Sequence, residues 1–382
     1  GGPVNIYEVA KEAEVSIATV SRVINKKGNV RPETAARVLS VLEKYNYRPN
    51  ASAVAMVTQQ SMSIAIITVD IRIPHYANTI YVVERFFSAE HYHVLVCNTG
   101  GSLESTRQTI EIVTAKKVDG SIFVGSVFNT LCKDEEIIRA LEGIPVVLAN
   151  GFLEWEMASS VLANDGLGIA MCTSHLIERG ARKICYVKDL DTDSARNKAA
   201  YYKMAMEASG LRPEILEIDF GFAEGMHFAA ERLSDLHRID AFVFGEDMTA
   251  AGAVKIWRHQ GIRVGEDLLV TAFNNTLESQ ISEPPLTTVD NKGTKVATEC
   301  AELLLEILNK KEKPATREVF PDLILRESSE GAKAGAAAKL PSLFTEEKRI
   351  SGKAWHQEHP EYPTAIVKNA ANPAPQKLPD KQ

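Results

Sequence analysis

Over the first fifty residues, apolar side chains recur with the period of a helix. Ile6, Val9, Ala10 and Ala13 form one stripe, Val20, Val23 and Ile24 a second, and Ala35, Val38, Leu39 and Leu42 a third. Ser16 is placed to cap the second helix and Pro32 to open the third. Ala13-Glu14-Val15 alone separates the first two, the connection length of a helix-turn-helix; a left-handed residue at Glu14 would cost about 1 kcal/mol. The second helix, within "SIATVSRVIN" (16–25), turns Ile17, Ala18, Ser21 and Arg22 outward. A solvated face carries several long charges, whereas this one carries a single arginine, as suits a surface that must be approached closely.

From residue 63 the rhythm changes. "SIAIITVD", "YHVLVCN", "VDGSIFVGS" and "PVVLAN", then "SSVLAN", "KICYVKD", "ILEIDF", "DAFVFGED" and "LLVTAFNN", alternate with amphipathic stretches. Val- and Ile-rich runs separated by helix-length segments predict parallel strands covered on both faces, here in two doubly wound lobes. Ligands of such sheets bind beyond the carboxyl ends of the strands, which makes a cleft between the lobes the expected site. After "FPDLILRES" (320–328) the chain turns to Gly, Ala, Pro and Lys without apolar period, so residues 329–382 are expected to be a disordered tail. The expected division is a headpiece over 1–49, a linker over 50–62 and a two-lobed core over 63–328.

Composition narrows the class. The chain has 382 residues, 45% hydrophobic and 24% charged, with no apolar run of the length, about 18 residues, that spans a bilayer. The N-terminal residues do not read as an export leader, so a cytoplasmic location is expected. Cys97, Cys132, Cys172, Cys185 and Cys300 are scattered and lack CxxC spacing, which points to buried thiols in a reducing compartment. The net charge of −7 is uneven: residues 1–60 hold eight Lys and Arg against five Asp and Glu, and the remainder holds 35 against 45. The N-terminal part can therefore visit a polyanion although the whole chain is acidic. His91 with His93 and His356 with His359 lack a third ligand nearby, and no phosphate-cradling or nucleophile motif follows a strand. No enzyme, metal or cofactor is expected.

Six motifs, "IYEVAKEAEVSIATVSRVIN", "YRPNA", "VDGSIF", "HLIERGARKICYV", "SARNKAAYY" and "PPLTTV", resemble the LacI/GalR family of bacterial transcription regulators in order and spacing, over residues 4–328. The resemblance implies an all-α helix-turn-helix headpiece plus an α/β core of two doubly wound parallel-sheet lobes, like a periplasmic binding protein. It also implies a homodimer on double-stranded, pseudo-palindromic operator DNA and no membrane association. Arg22 would then read a guanine, Ile17 and Ala18 would touch a thymine methyl, and Tyr7, Ser16, Thr19, Ser21 and Asn25 would hold phosphates. The stretch "RPNASAVAMVT" (48–58) resembles the family's hinge, with Asn50, Ala53 and Met56 at the minor groove, although Val54 stands where relatives carry an arginine. For a small-molecule effector, a sugar or sugar phosphate, the resemblance implies a site of Tyr76, Asn98, Asp165, Arg196, Phe220, Glu246 and Asn274. One branch of the family uses a phosphoprotein co-repressor, but Glu302 stands where a basic residue is expected for it. A sugar-binding protein without DNA function is the alternative of another class.

Overall fold

The structure is a computed structural model that describes residues 6–24, 30–45, 61–310, 313–330 and 347–365. These fall into two units, Gly1–Met62 and Ser63–Gln382.

The described residues of the first unit form the expected trio of helices, α1 (Ile6–Glu12), α2 (Ile17–Ile24) and α3 (Pro32–Lys44). Val9, Ala13, Val20 and Val38 are fully buried at their junction, and Ala10 and Val41 are nearly so. Leu39 departs from the expected stripe and is 54% exposed. Val38, Val41 and half-buried Leu42 stand at i, i+3 and i+4, and one step of about 100° turns Leu39 off that face. Glu14 adopts the left-handed conformation (φ 51°) between α1 and α2. Val15 N donates to Ala10 O (3.0 Å) and Glu14 N to Lys11 O (3.3 Å), so the end of α1 is closed by the motif that normally uses glycine.

The second unit contains two sheets. Strands β1 (Ser63–Thr68), β2 (His93–Asn98), β3 (Gly120–Val124), β4 (Val146–Ala149), β5 (Ala158–Ala163) and β11 (Thr316–Val319) form the first, in the order β11-β5-β4-β3-β1-β2 and parallel throughout. The second contains β6 (Ile184–Lys188), β7 (Glu214–Glu217), β8 (Ala241–Phe244), β9 (Leu269–Phe273), β10 (Thr287–Asp290), β12 (Asp322–Leu325) and β13 (Lys348–Ser351), in the order β13-β12-β10-β9-β8-β6-β7. The boundary between the sets lies one strand later than the pattern suggests, because "SSVLAN" forms β5 of the first sheet. Central strands β3, β4 and β8 are buried along their whole length, since helices cover both faces. Those used below are α4 (Pro74–Ala89), α5 (Leu103–Ala115), α6 (Asp165–Glu178), α7 (Asp193–Ala208), α8 (Phe222–Glu231), α9 (Asp247–His259) and α10 (Gly293–Leu308).

In each sheet the first five strands run 2-1-3-4-5, which puts a topological switch point between β1 and β3 and another between β6 and β8. Among the described residues the chain passes between the sheets three times, after β5, after β10 and between β11 and β12.

The expectation of a disordered tail is corrected for residues 347–365. β13 pairs antiparallel with β12, from Asp322↔Ser351 to Leu325↔Lys348, and α11 (Gly352–Glu358) follows at once. Trp355 and Tyr362 are 9% and 3% exposed in the cluster that includes Tyr201 and Leu323. Two isolated aromatics anchor this segment while its backbone covers an otherwise open sheet edge, an arrangement that leaves no apolar period to read. Residues 331–346 and 366–382 lie outside the described residues.

Candidate functional site

In the headpiece, Ile17 (36% exposed), Ala18 and Arg22 share the exposed side of α2, while Val20 is buried beneath. The Ser16 and Thr19 hydroxyls lie 2.9 Å apart, and Thr19 N donates to Ser16 Oγ (3.2 Å), which caps the helix. Tyr7 stands exposed on α1 and Ser21 is half-buried. Asn25 and the hinge residues Asn50, Ala53 and Met56 lie outside the described residues.

Between the two sheets lies a polar cleft at the carboxyl ends of their strands. His75 and Tyr76 reach it from α4, Ser126 from beyond β3 and Asn150 from beyond β4. The opposite wall carries Asp165 in the first turn of α6, Ser194 and Lys198 of α7, Glu246 after β8, Asn274 after β9 and Asn291 after β10. Gly125 (φ 110°) is required here, because a Cβ would collide with the Tyr76 phenol.

Lys198 is the centre of the wall. It is 4% exposed; its Nζ donates to Gly245 O (2.7 Å) and Glu246 Oε1 (3.2 Å) and sits 4.2 Å from the centroid of the Phe273 ring. Burial opposes its charge, yet Glu246, Asp165 and Asp189 hold its pKa above the ordinary value. Burial pushes the Glu246 carboxyl up, against the pull of Lys198 and Asn274. Asp189 and Asp247, behind the cleft, are pushed by burial up to about 7. His75 is brought down to about 4 by burial and by the Lys198 charge, so its ring is neutral at pH 7. Its 3.8 Å approach to Glu246 is therefore no ion pair there, and Nδ1 accepts from Asn274 Nδ2 at 3.3 Å. Asp165 Oδ2 accepts from Asn150 Nδ2 (2.6 Å) and Ser194 Oγ (2.5 Å), while Oδ1 is buried without a hydrogen-bond partner among the described residues.

Of the seven expected effector residues, Tyr76, Asp165, Glu246 and Asn274 line the cleft, and Asn98, Arg196 and Phe220 do not. Arg196 is half-exposed and clamped by Asp191 (2.8 Å) and Asp193 (2.6 Å). Asn98 ends the edge strand β2 and accepts from Ile71 N (3.0 Å), and Phe220 follows the equivalent edge strand β7. Lys198, His75, Asn150, Ser194 and Asn291 were not singled out by the sequence. Helical phase contains a signal for two of them: Ser194 and Lys198 are four apart on one face of α7, and Arg196, two residues from each, points the other way. Burial makes the cysteine thiols reluctant acids, with Cys132, Cys172 and Cys185 pushed up to about 12. Among the described residues no group of three or more His, Cys, Asp or Glu could hold a metal ion. His356 Nε2 lies 2.8 Å from Tyr362 O, and the His359 ring stacks on Trp355 at 4.0 Å.

Residues 5–50 match the model for bacterial regulatory proteins of the lacI family, and residues 173–329 match that for a periplasmic binding protein-like domain. The HTH-type transcriptional regulator DegA of Bacillus subtilis is 31% identical over 290 residues, which cover 74% of this chain and 85% of the relative. The chain belongs to the LacI family. Within that family, an HTH-type transcriptional regulator of Lachnoclostridium phytofermentans is 29% identical over 338 residues, 85% of this chain and 99% of the relative. The Lac repressor dimer bound to operator and the anti-inducer ONPF shares the fold, with a TM-score of 0.75 at 22% identity over 86% of this chain and 99% of that one. This LacI-family chain is a helix-turn-helix transcriptional regulator with a periplasmic-binding-protein-like core. β13 and α11 lie beyond the family match, which ends at residue 329. Among the described residues no helix is long and apolar enough to cross a membrane.

Proposed function

We infer that this regulator binds operator DNA as a homodimer in the cytoplasm and that a small, hydroxyl-rich, uncharged molecule between the lobes controls it. The observation that carries the DNA half is the exposed, nearly uncharged side of α2 around Arg22, backed by buried Val20. Arg22 donates two hydrogen bonds to a guanine in the major groove, which is worth about 1–3 kcal/mol of discrimination. Ile17 and Ala18 meet thymine methyls, and Tyr7, Ser16, Thr19, Ser21 and Asn25 fix the register on phosphates. Asn50, Ala53 and Met56 enter the minor groove beside it. One headpiece presents few contacts, so two copies act together on half-sites about one helical turn apart.

The ligand half rests on the charge of the cleft. Lys198 is matched by Glu246, Asp165 adds a further carboxylate, and no arginine is among the lining residues. A phosphate would meet net negative charge, whereas hydroxyl donors satisfy Asp165 Oδ1 and the amides around it. A free sugar therefore fits better than a sugar phosphate. The cleft binds rather than catalyses, because its one buried cation is committed to Glu246 and Gly245 O. Selection of bound duplexes from a randomised pool tests the DNA half, and melting shifts against panels of free sugars and sugar phosphates test the other. No enriched palindrome, or a response to the phosphates alone, would overturn the respective half.

A further inference from the structure

Residues 347–365 touch all three places where the chain passes between the lobes. At one end, β13 is built into the second sheet. There Arg349 Nη1 lies 3.4 Å from Asp290 Oδ2, at the second crossing, and 3.3 Å from Asp322 Oδ2, at the third. Lys292 Nζ joins the same two carboxylates at 3.2 and 2.5 Å. Gly352 N donates to Pro321 O (2.9 Å) inside the third crossing, so close that a Cβ on Gly352 would strike that carbonyl.

The chain beyond α11 then runs to the first crossing. Tyr201 Oη donates to Pro363 O (2.6 Å), and Asn164 Nδ2 approaches the same oxygen at 3.5 Å. Ala365 N donates to Glu318 Oε1 (2.7 Å), which also accepts from Asn164 Nδ2 (2.9 Å). Glu318 belongs to β11 of the first sheet, whereas Asn164 caps α6 and directly precedes Asp165 of the cleft. A single segment is thus bonded to both sheets, and its anchors Trp355 and Tyr362 are packed against the second lobe alone.

A change of lobe angle is absorbed by backbone rotation in the crossings, and groups bonded on both sides of them resist it. No residue of 347–365 lines the cleft. The segment therefore acts on the hinge and does not compete with a ligand. We propose that residues 347–365 form a strap that holds the two lobes at one angle and so sets how far a ligand in the cleft can move them. The strap's effect does not depend on which molecule fills the cleft.

The test needs no ligand. Spin labels are placed at Glu111→Cys on α5 and Glu207→Cys on α7, both exposed, in a Cys97→Ser background, and the interlobe distance distribution is read by pulsed dipolar spectroscopy. The full chain is compared with a chain ending after Ala365, a chain ending after Tyr362, and full-length Ala365→Pro, which lacks the N–H that reaches Glu318. The full chain and the chain ending after Ala365 should share one narrow distribution. The chain ending after Tyr362 keeps the aromatic anchors; it and Ala365→Pro should give a broadened or displaced distribution, with amides at 163–165, 290–293 and 319–322 exchanging about tenfold faster. Distributions and exchange rates that superimpose on those of the full chain would overturn the proposal. So would a lowered urea midpoint with both readouts unchanged, since that pattern marks a patch on the second lobe's core.

Discussion

Lys198→Met removes the charge at the centre of the cleft while keeping most of the side chain's volume. The native ammonium is 4% exposed and is held by Gly245 O at 2.7 Å, Glu246 Oε1 at 3.2 Å and the Phe273 ring. Its loss leaves Glu246 buried beside Asp165 and Asp189, with Asn274 as the remaining donor at 2.5 Å. Breaking one side of a buried pair costs about 3–5 kcal/mol, which lowers Tm by roughly 10 °C in a domain of this size. The penalty depends on pH. Burial already raises the Glu246 pKa above the unfolded value of 4.5, and without Lys198 it rises further, so between the native and the variant pKa the variant's fold keeps a proton that the native fold releases. Stability of the variant relative to the native chain then falls as pH climbs through that window, by at most about 1.4 kcal/mol per pH unit. Urea unfolding of both chains at pH 5 and pH 8 measures the difference, and Lys198→Met/Glu246→Gln should recover most of it. A penalty under about 1 kcal/mol at neutral pH, or one equal at both pH values, would refute a charged pair at this position.

Four further outcomes are expected. His175, brought down to about 4 by burial, stays neutral in the fold while the unfolded chain protonates below 6.5; its stabilisation is complete above 6.5 and is lost toward pH 4, by about 3 kcal/mol, so urea midpoints of His175→Gln should show a shallower acid slope than the native chain. Asp165→Asn should weaken a ligand found by melting-shift screening at least about tenfold in titration calorimetry, because a charged acceptor at the cleft wall becomes neutral. Arg196→Ala should leave that affinity within about threefold, since Asp191 and Asp193 hold the guanidinium outside the lining. Glu14→Gly should raise the headpiece transition seen by calorimetry, as relief of the left-handed strain at φ 51° outweighs the extra freedom of glycine by about 0.5 kcal/mol.

The residues that were legible in the sequence share a physical origin. Strands such as β3 and β8 are buried on both faces and so appear as unbroken apolar runs. Glu246 and Asn274 follow such runs directly, and in a doubly wound sheet the positions after central strands face the crevice. Asn98 and Phe220 also follow strands, but β2 and β7 hold the same outer place in their sheets and end away from the switch points. Strand order, which no local pattern encodes, decides between the two cases. Arg196 lies outside the lining for a different reason: the place of a guanidinium depends on which carboxylates lie nearest, and Asp191 and Asp193 hold it. The β13–α11 segment escaped because its burial rests on two separated aromatics and an edge pairing.

The lobes are joined by more than their crossings. Asn150 to Asp165 (2.6 Å), Asn129 to Asp193 (2.8 Å), Ser194 N to Ser126 Oγ (3.1 Å) and Asn274 to His75 (3.3 Å) each run from one lobe to the other. They leave about 60 Å³ between the walls, well below the ~300 Å³ at which small-molecule sites begin. A sugar-sized ligand must therefore part the lobes, and the hydrogen bonds it breaks in doing so have to be replaced by its own hydroxyls. A molecule of the right size but without those groups leaves Asp165 and Asn150 unpaired and binds weakly. Only a ligand that stabilises the parted arrangement more than the joined one shifts the population between them, and the charge and amide pattern of the cleft restricts which ligands do. Selectivity and control are in this way the same free-energy difference, set across the cleft by bonds that either the two lobes make with each other or the ligand makes with both.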